Sequence, residues 1–343
     1  MTNNINFLKK NFFLNLISFL FVTIVFLNHI HNSIDPYKKI DLKYNNNDTY
    51  ALLQTSEIKK ELSQRLISND SYTNILDREC KITGDLHDRH KVRWVKALFL
   101  KSVFNFSYNF NEILPYYVNI ILHSLIIFLS LIILNKTFAL DRKYNLIFLL
   151  YVTFIFQQHL SEYSYSVFET FFLSLSLYAS KNKKHLLFLL SCLLAIFNRE
   201  SGFVIIFVWL IFNNNEFKKL IMFFMASSLI FLIINFDILK CLFDPKFFVP
   251  LENQEGQVNF SELASNNIIS TIKLIFTNFL LPFGIGIFYL TLAKSKNKIL
   301  IALFVIYFLM FVLATPAHHM SVRLILLPLI FTSIYFYNKG KVA

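Results

Sequence analysis

The sequence predicts an all-α polytopic membrane protein with about ten transmembrane helices, several of them in short hairpins. Three observations predict it. The chain of 343 residues is 55% hydrophobic with a mean hydropathy of +0.52, too apolar for a water-soluble globule. The apolar runs are parted by short loops, and every second loop is rich in Lys and Arg, as cytoplasmic loops are. The third observation is the stretch from Lys181 to Lys219. Its middle, His185 to Phe212, is apolar and broken once by Asn198-Arg199-Glu200-Ser201. Lys181, Lys183 and Lys184 precede it, and Lys218 and Lys219 follow it. One long helix would place these basic clusters on opposite sides of a membrane. Two short helices meeting at 198–201 place both inside, so a hairpin is expected. Each arm is then about a dozen residues, or roughly 18 Å, short of the ~30 Å hydrocarbon core. The Arg199–Glu200 turn is expected below the outer surface, where a charged pair needs a partner or a water-filled cavity.

The remaining elements follow the same logic. Lys9 and Lys10 precede the apolar run Asn11 to Leu27, and Asn28-His29-Ile30-His31 is no small-residue cleavage site. A retained first helix with its N-terminus inside is expected. Residues 29–110 form a first extracytoplasmic loop. In it Asp48 stands where an N-cap would open a helical stretch, and Leu52, Leu53, Ile58, Leu62 and Leu66 recur at near-helical spacing. Arg89, Lys91, Arg93, Trp94 and Lys96 then lead into an apolar segment over 92–106, an amphipathic interfacial helix. A second span is predicted over Ile113 to Leu134. Tyr144–Gln157 and Val167–Ala179 make a short pair around Glu162, and the Arg199 pair follows. Leu220–Phe236 leads to a second extracytoplasmic loop, 237–268. Ile269–Leu292, Ile299–Ala314 and Leu324–Tyr337 complete the set, with an outer loop at 315–323. All of it reads as one membrane domain, 1–343, with both termini cytoplasmic.

Several function classes are excluded. The formal charge of +12 comes mostly from Lys clusters between apolar spans, which set topology and do not imply nucleic acid. No Gly-rich phosphate loop occurs, so no soluble nucleotide is expected. No Cys/His spacing suggests a metal site. Cys192 lies in an apolar span. Cys80 and Cys241 fall in loops on the outer side, where a disulfide would be compatible with the topology although no spacing pattern supports one. With only 6 Gly, tight glycine-mediated helix packing is not expected as the main theme.

The polar residues left over collect at the outer ends of the apolar segments. They are the Asp residues of the first loop, including Asp35 and Asp48, with Arg89, Arg93, Glu162, Glu169, Arg199, Glu200, His318, His319 and Arg323. Short hairpins leave the outer half of such a bundle hollow. A charged cavity bordered by lipid suits an amphiphile with an anionic head. Arg binds phosphate through two parallel N–H bonds and stays charged, and a carboxylate nearby can act as general base on a hydroxyl. Plainer roles stand beside these. Arg199 and Glu200 would pair with each other, Asp48 would only cap a helix, Glu162 and Glu169 would be solvated helix ends, and Arg323 would reach the headgroups.

Asp48-Thr49-Tyr50 in the first loop, the Asn198-Arg199-Glu200-Ser201 turn, and the segment His319-Met320-Ser321-Val322-Arg323 followed by Leu324-Ile325-Leu326-Leu327-Pro328 carry a family resemblance. Together with the layout of short hairpins, they resemble the GT-C superfamily of polyprenyl-phosphate-dependent integral membrane glycosyltransferases. The resemblance implies transfer of a sugar from a polyprenyl-phosphate donor to an envelope glycan or lipid on the outer face, in a bacterial inner membrane. It implies a catalytic acid in the first loop, Asp48 or Asp35; many members pair their acids, whereas these two are well separated. Arg199, Glu200, Arg323, His319, Glu162, Arg89 and Arg93 would bind substrate. The partners would be the lipid-linked sugar and membrane lipid, with no cofactor beyond a divalent metal, whose need stays open. A multispanning polysaccharide polymerase would use the same cavity. A lipid or glycolipid transporter would need a polar path to both leaflets.

Overall fold

The computed structural model describes residues 16–25, 94–139, 165–242, 281–293, 297–313 and 319–342, together with 59, 60, 63, 64, 66, 67, 144, 148 and 149. Every regular element among them is helical. Helix α1 is Leu16–Val25. A π-helical segment, Val95–Leu100, runs into α2, Lys101–Phe110. Helix α3 is Leu114–Phe138, α4 is Tyr165–Lys181 and α5 is His185–Asn198. A 3₁₀ segment, Glu200–Val208, continues as the single turn α6, Trp209–Phe212. Then come α7, Phe217–Leu242, α8, Leu281–Leu292, α9, Lys298–Leu313, and α10, His319–Val342. The last begins earlier than the Leu324 start expected from hydropathy, because His319 to Arg323 join its first turns.

Two stretches, Leu114–Phe138 and Phe217–Phe236, are long and apolar enough to cross a membrane. Only 39% and 28% of their most apolar windows are buried inside the protein, so neither is an ordinary core helix. On α3 the exposed Tyr117, Ile121, Leu125 and Leu129 form one stripe at four-residue spacing, while Tyr116, Ile120, Ile127, Leu131 and Leu134 face inward. On α7 the outward face carries Ile221, Met222, Phe224, Met225, Leu229, Leu232, Ile233 and Phe236. Such an apolar surface seeks lipid or another apolar face.

Helix α4 is the hub, packed against α3, α5, α6 and α10. Its neighbours come close because it is rich in serine. Ser174, Ser176 and Ser180 are buried, and the Ser176 and Ser191 hydroxyls are hydrogen-bonded at 2.8 Å between α4 and α5. Ser174 and Ser176 also donate to carbonyls four residues back, so no polar atom of theirs is stranded. Residues Leu326 to Ile334 of α10 are buried on all sides, as a central helix requires.

One end of the bundle is basic. Lys181 donates to the Thr137 carbonyl at the end of α3 and sits 4.2 Å from the Tyr335 ring of α10. It also lies within electrostatic reach of Lys339. Lys184 donates to the Tyr178 hydroxyl at 3.1 Å, and Lys136 lies 5.7 Å from the same ring. Glu216 bridges Lys183 at 3.6 Å and Lys219 at 3.1 Å. The hydrogen bond from Lys219, reinforced by the charges of Lys219 and Lys183, holds Glu216 below the usual carboxylate range. The two lysine clusters that flank the 185–212 run therefore share one end.

That is possible because the run folds back on itself. An unbroken helix would hold His185 and Trp209 about 36 Å apart. Their rings are 5.0 Å apart, and Phe188 and Phe223 complete an aromatic cluster around Trp209 at 5.0 Å each. The reversal depends on Gly202. A Cβ there would stand 2.3 Å from the Ala195 carbonyl carbon and 2.5 Å from the Ile196 nitrogen, so only glycine lets the two arms meet backbone to backbone. Gly286 makes a similar approach to the Phe304 ring. Glycine is scarce in this chain, yet the closest approaches use it.

The returning arm differs from expectation in its winding. Nine residues, Glu200–Val208, are 3₁₀ and not α, where such runs seldom exceed three or four. At 2.0 Å per residue they rise about 18 Å, against about 13 Å for an α-helix. The extra length carries the arm back to the basic end, where Asn213 donates to the Ser180 carbonyl at 3.0 Å and Asn297 to the Ile211 carbonyl at 2.8 Å. Gly202→Ala should lower the thermal stability of the detergent-solubilised protein by about 2 kcal/mol or more, the scale of core overpacking. Gly284→Ala, with nothing within 4 Å of the new Cβ, should be neutral or slightly stabilising. Equal melting of the two variants would contradict the close approach.

Candidate functional site

The tip of the hairpin is the candidate site. Helix α5 ends because Arg199 leaves the helical region for extended backbone, with φ −165° and ψ 147°. The Arg199 N–H still donates to Ala195 at 2.9 Å, and its carbonyl accepts from the Gly202 N–H at 2.8 Å, so the turn spans only 199–201. Asn198 is buried beneath it, while Arg199 and Ser201 are half-buried. The 14 residues of α5 rise about 21 Å from the basic end, and the 25 of α3 about 37 Å. For near-parallel axes the tip lies roughly 15 Å below the level that the far end of α3 reaches.

Beneath the tip is a buried acid. Glu169 is fully buried in α4, and its Oε1 accepts a short hydrogen bond from the Ser201 hydroxyl. This corrects the expectation of a solvated helix end. Tyr165 opens α4 four residues earlier, so Glu169 lies one turn inside the bundle and level with the hairpin tip. Tyr307 of α9, also buried, lies within electrostatic reach of Glu169. Its hydroxyl makes no hydrogen bond among the described residues. A stranded buried hydroxyl costs about 1–3 kcal/mol. On the other side of α4, Phe168 meets the edge of the His123 ring with centroids 5.9 Å apart. His123 is itself buried in α3, with Nδ1 2.7 Å from the Asn119 carbonyl.

The structure therefore joins a guanidinium-bearing turn, a carboxylate, a hydroxyl and a phenol, contributed by the hairpin, α4 and α9. Of the residues expected from sequence, Arg199 sits at the tip and Glu200 opens the 3₁₀ segment. His319 and Arg323 lie in the first turns of α10, at the end opposite Lys339; 16 residues separate Arg323 from Lys339, or about 24 Å, a depth comparable to the tip. The side chains of Glu200, His319 and Arg323 lie outside the described set. So do Asp35, Asp48, Arg89, Arg93, Glu162 and His318, and the Cys80 partner of the suggested disulfide. Sequence reasoning passed over Tyr307 and His123. For His123 the signal was there, an imidazole in the middle of an apolar run; Tyr307 carries no such mark among so many aromatics.

Among the described residues no group of three or more His, Cys, Asp or Glu is placed to hold a metal ion. What the arrangement offers is a cation half open to its surroundings above hydrogen-bonding groups that are sealed from water. In such a place each polar contact is stronger and each loss more costly. A double-mutant cycle on Ser201→Ala and Glu169→Gln should show a coupling of about 1 kcal/mol or more in thermal unfolding, since either change alone strands the other partner. Simple additivity would contradict the contact. The chain matches no protein-family profile, no curated protein and no solved structure.

Proposed function

We propose that this chain is a membrane glycosyltransferase of the GT-C type, which moves a sugar from a polyprenyl-phosphate donor to an envelope acceptor on the outer face of a bacterial inner membrane. The single observation behind this reading is the recessed hairpin tip with a half-buried Arg199 above a buried acid. On this reading about ten helices cross the bilayer, the basic end faces the cytoplasm, and both termini lie on that side. The outward apolar stripes of α3 and α7 then meet lipid tails. The tip hangs within the outer half of the bilayer, about 9 Å short of its far edge, because α5 rises about 21 Å in a core of about 30 Å.

A lipid-linked phosphate enters this level from the side, with its tail among the acyl chains. The Arg199 fork pairs with two phosphate oxygens and neutralises the charge that grows on the phosphate as the sugar departs. Arg323 and His319, in the first turns of α10, and Arg89 and Arg93, in the first loop, add positive charge to the same outer layer. Asp48 or Asp35 takes the proton from the attacking hydroxyl, which reaches the anomeric carbon opposite the phosphate and inverts it. The lipid-borne phosphate supplies the leaving group, so no soluble nucleotide is needed.

Arg199→Ala should reduce sugar transfer in proteoliposomes about 100-fold or more while leaving expression and insertion intact. Arg199→Lys should restore little, because an ammonium cannot make the paired contact. Asp48→Asn should likewise abolish transfer if Asp48 is the base, with Asp35→Asn as the companion test. Wild-type transfer by both the Arg199→Ala protein and the Asp48→Asn, Asp35→Asn double variant would end the assignment.

A further inference from the structure

Glu169, Ser201 and Tyr307 have no part in the chemistry above, yet they come together directly under Arg199. Three separate elements, α4, the hairpin and α9, each send one polar group to this place in an otherwise apolar bundle. Ser201 satisfies one oxygen of Glu169. The Tyr307 hydroxyl is buried and makes no hydrogen bond among the described residues, so donor and acceptor capacity is left over beside a carboxylate. We propose that these three side chains form a polyol subsite that holds the sugar ring of the donor while Arg199 holds its phosphate; this rests on the transferase reading.

The chemistry selects a sugar over other ligands. A carboxylate only accepts hydrogen bonds, and a hydroxyl and a phenol can donate or accept. Adjacent hydroxyls on a sugar ring present the matching set. A phosphate would be repelled by Glu169 and belongs on Arg199. A cation would require more carboxylates than the one present, and no metal-binding group forms among the described residues. The geometry fits one molecule across both positions. Arg199 and Ser201 are two residues apart, so their backbones lie at most about 7 Å from each other. That is comparable with the separation of a phosphate from the ring hydroxyls attached through its anomeric carbon. Access runs through the tip, because Ser201 is half-buried while Glu169 and Tyr307 lie behind it. A sugar hydroxyl that reaches Glu169 takes the place of the Ser201 hydroxyl or shares the carboxylate with it.

The test separates sugar recognition from phosphate recognition. The full chain in nanodiscs is titrated with undecaprenyl phosphate, and with undecaprenyl phosphate carrying hexoses or pentoses, and bound lipid is read by native mass spectrometry. Wild type should prefer at least one sugar-bearing lipid over the bare one by about tenfold, the value of one to two well-made hydrogen bonds. Glu169→Gln and Tyr307→Phe should each lose most of that preference while binding the bare lipid as wild type does. Arg199→Ala should weaken both lipids alike. The subsite is overturned if wild type binds the bare lipid phosphate but prefers no sugar. It is also overturned if both variants keep the preference, or if they weaken both lipids equally, as a purely structural role would. If wild type binds neither lipid, the transferase reading itself fails, and the subsite with it.

Discussion

The contact between Gly202 and the Ala195–Ile196 backbone is the constraint on which the rest depends. A side chain at 202 would wedge the two arms apart, and the aromatic cluster around Trp209 would lose its partners. With glycine there, the chain turns within three residues, and 185–212 becomes a hairpin that begins and ends at the same face. Every later consequence follows from that turn. It brings Lys183 and Lys219 to one carboxylate, Glu216. It also places Ser201 where its hydroxyl meets Glu169 of the central helix.

The two ends of the bundle are chemically unlike, and the difference has a physical basis. At the basic end, lysine stems lie over aromatic rings and their ammonium groups reach Thr137, Tyr178 and Glu216. These are shallow, partly exposed contacts, which anchor an end and contribute little individually. At the hairpin end the polar groups are few and buried. A carboxylate in that position has to be hydrogen-bonded to exist as an ion, and Ser201 meets that need. Low dielectric raises both the strength of the contact and the penalty for losing it. A site made in this way is rigid, and rigid placement of charge is what electrostatic catalysis requires.

Much of this was legible in the sequence, and for stated reasons. The break at Asn198–Ser201 could be read because topology charges on both sides of an apolar run admit only one arrangement. The exposed stripe of α3 follows from its four-residue spacing. The 3₁₀ winding of Glu200–Val208 was not legible: its residues are apolar throughout, and the winding reflects the distance the arm must cover and not a local signal. Glu169 was misread as a solvated helix end because Tyr165, the true start of α4, is not marked by a capping residue. Arg323 was assigned to a loop because hydropathy begins at Leu324, one turn after the helix does. Tyr307 could be found only once α9 was seen beside α4, since the pairing is long-range and no periodicity encodes it.

The central claim is the reversal of the chain at Arg199, and a distance between spin labels tests it most directly. Asn182 and Asn214 are exposed and lie just outside the two arms. With Cys192 replaced by serine or alanine and Cys80 and Cys241 likewise removed, labels are attached at 182 and 214 and the protein is measured in nanodiscs by pulsed electron resonance. The hairpin predicts a separation of about 20 Å or less, allowing for label length. A continuous helix through 199–201 would hold the two sites about 48 Å apart at 1.5 Å per residue, and a distance near that value would contradict the account.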